Sequence, residues 1–150
     1  MSRRTVLCVA AGVVVLGGAG ALTLAHAGDQ SSTPAHSTAR YIAPDGDRDG
    51  SLTFSTDVTE SSGVKSVKVL AWPQDSSFAK DRPTAKDMAG VDSADCEPAG
   101  KDTVHCTYRV EVTAADAKSS PRGAWHVAVL VTAKDGSTTL DAEAADFTVR

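Results

Sequence analysis

Apolar and polar residues alternate along most of the second half of the chain. Leu52, Phe54, Thr56 and Val58 share one register, with polar residues between them. Val67, Val69 and Ala71 repeat the pattern while Lys68 points away, and Leu70 and Trp72 make the other face of that run partly apolar. The longest period-2 run sets Val104, Cys106, Tyr108, Val110 and Val112 against His105, Thr107, Arg109 and Glu111. Trp125, Val127, Val129 and Val131 follow, and Leu140 and the Phe147-Thr148-Val149 run close the series. Alternation of this kind predicts half-buried antiparallel strands, because successive side chains leave a strand on opposite faces. The run ending at Trp72 is predicted to be covered on both faces. Asp135-Gly136 predicts a tight hairpin, since Gly accepts positive φ and Asp tolerates it.

Two stretches break the rhythm. Residues 72–91 contain Pro73, Pro83 and Gly90, with a short helix predicted near Thr84. Residues 113–123 contain Ala114, Ala115, Asp116 and Ala117 before Pro121 and Gly123, the pattern of one helical turn crossing between sheets. Several strands with long connections and no strong helix predict an all-β protein, an antiparallel β-sandwich with a short helical turn in a connection. The sandwich is predicted to occupy residues 51–150. Residues 28–50 read as a flexible linker, because Ser31, Ser32, Thr33, Pro34, Ser37 and Thr38 leave little to bury.

The first 27 residues read as a signal peptide. Arg3 and Arg4 form a basic start, residues 6–24 are apolar, and Ala25-His26-Ala27 offers small side chains where signal peptidase needs them. Cleavage is expected after Ala27, giving a secreted protein. The competing reading is a retained anchor, since the 19 apolar residues approach the ~20 that span a bilayer; their glycines and the A-x-A site argue against it. The Arg pair resembles the start of a twin-arginine signal, although an ordinary secretory signal is equally basic there. Cys8 leaves with this segment.

Composition narrows the function. Of 150 residues, 15 are Lys or Arg and 19 are Asp or Glu, so the net charge is −4. An acidic chain lacks the basic face that nucleic acid requires. The polybasic patch of a membrane-surface protein is missing too. No Asn occurs, so no N-glycosylation sequon exists. After cleavage two cysteines remain, Cys96 and Cys106, and an exported chain joins them most simply in one disulfide. Pro98 and Gly100 supply a turn, so the bond is predicted to bridge neighbouring strands and to stabilise by roughly 2–3 kcal/mol.

Candidate chemistry is sparse. Asp45, Asp47 and Asp49, with Gly50, match the first half of a calcium loop. Position twelve is Thr56 rather than a carboxylate, and Arg48 opposes the charge, so these residues read more simply as an acidic turn. His105 and His126 lie in the polar registers of their strands; they could meet as ligands only if those strands were neighbours, and no further ligand is placed by the sequence. His36 falls in the linker. No G-x-S-x-G elbow and no phosphate-binding glycine loop occurs. Trp125 is predicted to fill the core. Trp72, followed by Pro73 at the mouth of the longest connection, is either a ligand-stacking platform or a cap on the core. No cofactor is expected.

The runs DVTESSGVKSVKVLAW at residues 57–72 and GAWHVAVLVTAKDGSTT at residues 123–139 resemble segments of bacterial immunoglobulin-like domains. The chain is also similar to small secreted actinobacterial proteins that form a domain of unknown function. The resemblance implies an immunoglobulin-like sandwich and leaves function open, because such folds carry many roles on their loops. The Cys96 to Cys106 spacing departs from the antibody-type inter-sheet bond. The expectation is a secreted, monomeric, non-catalytic module that binds an extracellular protein or cell-wall glycan. The alternatives are a structural or accessory protein without a dedicated ligand and, last, a small hydrolase.

Overall fold

A computed structural model describes residues 33–150; the segment read as a signal peptide and the first part of the expected linker lie outside the described residues. Seven strands form two antiparallel sheets. They are β1 (Thr33–Ile42), β2 (Gly50–Thr59), β3 (Val64–Pro73), β4 (Asp95–Gly100), β5 (Thr103–Val112), β6 (Gly123–Ala133) and β7 (Thr138–Val149). One sheet runs β1-β2-β5-β4 and the other β3-β6-β7. This 4 + 3 arrangement is the strand order of a constant-type immunoglobulin domain. The chain changes sheet between β2 and β3, between β3 and β4, and between β5 and β6. The last crossing carries α1 (Ala114–Ser119), the predicted helical turn. Its Thr113 and Asp116 cap each other reciprocally, which satisfies helix-start N–H groups that would otherwise lack partners.

The core lies where the predicted registers meet. Phe54 and Val58 of β2, Val67 and Val69 of β3, Cys106 of β5, and Val127, Val129 and Val131 of β6 form one buried cluster. Each fully buried side chain of this kind contributes roughly 1.5–3 kcal/mol. The Asp135-Gly136 hairpin joins β6 to β7, with Gly136 at φ 90°; the Ala133 N–H donates to Ser137 O at 2.9 Å.

The linker expected over residues 28–50 requires correction. From Thr33 the chain is strand β1, paired with β2 along its length. Its period is hidden by a bulge: Ala35 pairs with Asp57 and Thr38 with Ser55, leaving His36 and Ser37 opposite one residue. His36 takes φ 53°, the left-handed conformation that bulges normally give to Gly. The inward positions are Pro34, Ser37, Ala39 and Tyr41, too small or too polar to read as a core face. Ser37 Oγ nevertheless lies 2.8 Å from the buried Thr56 Oγ1.

The short helix predicted near Thr84 is also replaced. Ser77–Ala79 forms a 3-10 turn, and residues 84–91 form hydrogen-bonded turns, with Met88 N–H donating to Thr84 O at 3.2 Å. Pro98 and Gly100 lie within β4 rather than in the turn between the cysteines, which falls at Lys101 and Asp102.

Candidate functional site

The two tryptophans occupy opposite faces of the three-stranded sheet. Trp72 turns outward from the sandwich, yet it is only 2% exposed. The connection from β3 to β4 folds back over it. Met88, fully buried, joins Trp72, Ala128 and Leu130 in a satellite cluster, with Phe78, Val91 and Leu140 at its margin. Phe78 meets the indole edge-on at 6.2 Å, and the His126 ring lies 4.6 Å away. The indole N–H donates to Ala142 O at 3.0 Å. The connection is pinned by Lys68 Nζ donating to Ala89 O and by Arg82 beside Glu143 at 2.7 Å. Of the two roles open to Trp72, the structure assigns the cap; no stacking face is presented.

Trp125 is buried between the sheets, as expected, but at their end. Phe147 stacks between it and Tyr41, with centroids 5.7 and 6.0 Å apart. Tyr41 and Phe147 are half-buried. Together with Trp125, Leu52, Val112, Val149 and Ser120 they line a shallow cleft open to solvent. The space enclosed within it is only about 10 Å³, roughly room for one water, so it is an open apolar depression against which a side chain can pack rather than a small-molecule pocket. Two of its donors have partners within the protein: the Trp125 indole donates to Pro121 O at 2.9 Å, and the Ser120 hydroxyl to Asp116 O at 2.7 Å. The walls can therefore bury an apolar group but offer few donors to read hydroxyls. Tyr41 falls in the segment that reads as linker, so the sequence carries no signal for this cleft beyond the aromatic content of three distant segments.

His105 and His126 do not meet, because β5 and β6 belong to different sheets. Each instead pairs with a carboxylate across its own sheet. The His105 imidazole lies 2.6 Å from Asp57 Oδ1, and His126 lies 2.6 Å from Asp146 Oδ1. The bulge brings His36 to 3.3 Å from the other Asp57 oxygen. The His105 hydrogen bond, opposed by desolvation and aided by His36, holds the Asp57 carboxyl below its ordinary value. The two imidazoles flank the carboxylate on separate oxygens, so they do not converge on one point. Burial, with the nearby Asp92 charge, pushes the Tyr108 phenol up to about 12.

Asp45, Asp47 and Asp49 are exposed at the β1–β2 hairpin. Asp45 and Arg48 exchange backbone hydrogen bonds at 3.0 Å, and Gly46 takes φ 59°. A Cβ at Gly50 would strike the Ile42 carbonyl and the Pro44 nitrogen, so this glycine serves the close approach of the two strands. Thr56, the twelfth position of the supposed loop, lies inside β2 and is fully buried. Among the described residues no group of three or more His, Cys, Asp or Glu side chains is arranged to hold a metal ion. Among them, too, no helix is long and apolar enough to cross a membrane. Cys96 and Cys106 form the predicted disulfide across the β4–β5 pair.

These features define a two-sheet antiparallel sandwich with a small apolar cleft at one end and a disulfide at one sheet edge. The chain belongs to a family of unknown function, DUF5707, whose model matches residues 34–131. The match begins in β1, so the segment expected to be linker is part of the family's domain. No curated protein matches the chain.

Proposed function

We propose that the protein is an exported, non-catalytic immunoglobulin-like module that binds an extracellular protein by packing one of its apolar side chains against the Tyr41–Phe147–Trp125 cleft. The cleft carries this reading. Aromatic walls supply large contact area at low entropic cost, and the Trp125 and Ser120 donors, already engaged within the protein, favour an apolar group over a sugar. Export is supported by the apolar N-terminal segment with its A-x-A site and by the disulfide, a bond kept in oxidising compartments. A wall glycan is the competing ligand.

The test is capture with the mature protein immobilised. Secreted proteins and purified wall glycan of the producing organism serve as prey. We expect a protein to be retained by the parent and lost with Tyr41→Ala, while the variant keeps its β-type far-UV spectrum. Equal capture by both forms would remove the cleft from the account, and retention of glycan alone would replace the protein partner.

A further inference from the structure

We propose that the Cys96–Cys106 disulfide is a clasp for one edge strand, whose reduction undocks residues 95–102 while the rest of the sandwich stays folded. Every residue of β4 is exposed. The strand therefore contributes no buried side chain to hold it against β5. Its backbone ladder is short and interrupted: Pro98 lacks an N–H, and the register shifts between Pro98 and Gly100. The turn that follows adds a single backbone hydrogen bond to the sandwich, Glu60 N–H donating to Asp102 O at 2.7 Å, and Asp102 sits at φ 58°, a conformation L residues adopt sparingly. The disulfide joins directly opposed residues near the start of this pairing.

The ends of the segment are anchored independently of it. On one side Ala94 N–H donates to Val67 O at 2.7 Å and Val69 N–H to Asp92 O at 3.1 Å, which ties the preceding residues to β3. On the other side β5 is paired with β2 over its whole length. Between these anchors the ladder, the disulfide and that one turn hydrogen bond hold the chain. Release would leave one edge of β5 unpaired, and the core cluster would keep its β2, β3 and β6 members.

The two sulfurs differ in access. Cys96 is exposed and Cys106 is fully buried. A dithiol reductant can reach only the Cys96 sulfur, because exchange needs a thiolate in line with the bond. Its first thiolate bonds to Cys96 Sγ as the S–S bond breaks, and Cys106 leaves as thiolate and takes up a proton. The second thiol of the reductant then attacks the mixed disulfide and releases the Cys96 thiol. The protein disulfide is reduced and the dithiol is oxidised, with two electrons and two protons passing to the cysteines.

Hydrogen exchange on the folded mature protein, with and without dithiothreitol, tests the clasp. We expect protection at residues 95–102 to fall by about thirtyfold on reduction, with β2, β3 and β6 unchanged. With glutathione as a monothiol probe, peptide mapping should find the first adduct on Cys96. Unchanged protection at 95–102, loss of protection spreading through β2 and β6, or a first adduct on Cys106 would each overturn the proposal.

Discussion

Trp72 and Trp125 stand on strands that pair with each other, yet their surroundings differ in kind. Trp72 faces away from the sandwich and is closed over by an irregular connection; Trp125 faces into the sandwich and borders an opening to solvent. The difference shows that the direction a side chain takes from a sheet does not decide whether it is available. What decides it is which segment crosses that face. The β3–β4 connection brings Met88 and Phe78 onto the outer face, and that face becomes a second core. At the end of the sandwich, among the described residues, the α1 connection brings only Ala117 to the cluster that holds Tyr41 and Phe147, and both rings stay half-buried.

The largest effect should separate the two neighbourhoods outright. Trp72→Ala removes a side chain packed on every side and should cost about 3–5 kcal/mol, whereas Tyr41→Ala, half-buried at the cleft, should cost about 1 kcal/mol. Urea unfolding of the two variants measures this; equal losses would erase the distinction. Met88→Ala should cost about 2–5 kcal/mol, as expected for a buried core residue, although it lies in an irregular connection. A surface-like loss below about 0.5 kcal/mol would mean the connection merely rests on Trp72.

Arg82→Ala removes an ion pair with Glu143 whose partners are 57% and 36% exposed. Such pairs are screened by water, so the loss in urea unfolding should stay below about 1 kcal/mol.

The smallest effect is acid loosening of the cover. The Thr84 hydroxyl and N–H both donate to the Asp87 carboxylate, at 2.7 and 2.8 Å. Those two hydrogen bonds, side chain first, hold the Asp87 carboxyl below its ordinary 3.8. A depressed carboxyl stabilises the folded state above the unfolded value and loses that contribution as pH falls through the folded one. Trp72 fluorescence should therefore report a looser cover below pH 3.8 in the parent, with that component absent in Asp87→Asn.

Most of the architecture was legible because period 2 was clean where one face met the core. β2, β5 and β6 announced themselves through valines and aromatics at alternate positions. β1 did not, because the bulge at His36 and Ser37 breaks its period and its inward residues are small or polar. The disulfide was legible from the two cysteines that remain once Cys8 is set aside with the apolar N-terminal segment. The cover on Trp72 was not, since Met88 reaches it from a segment without any period. Nor was the cleft: Tyr41, Trp125 and Phe147 meet only through the packing of two sheets. The carboxylate partners of the histidines depend on strand register, which turn and burial set jointly.

The central claim is that the Trp125 end of the sandwich, and not the Trp72 face, is where a partner binds. The chain has two tryptophans, so its amide spectrum carries two indole N–H signals, assigned by Trp72→Phe and Trp125→Phe. On adding the protein captured from the secreted fraction, the Trp125 signal should shift or broaden while the Trp72 signal stays in place. Movement of Trp72 with Trp125 unchanged would contradict the account.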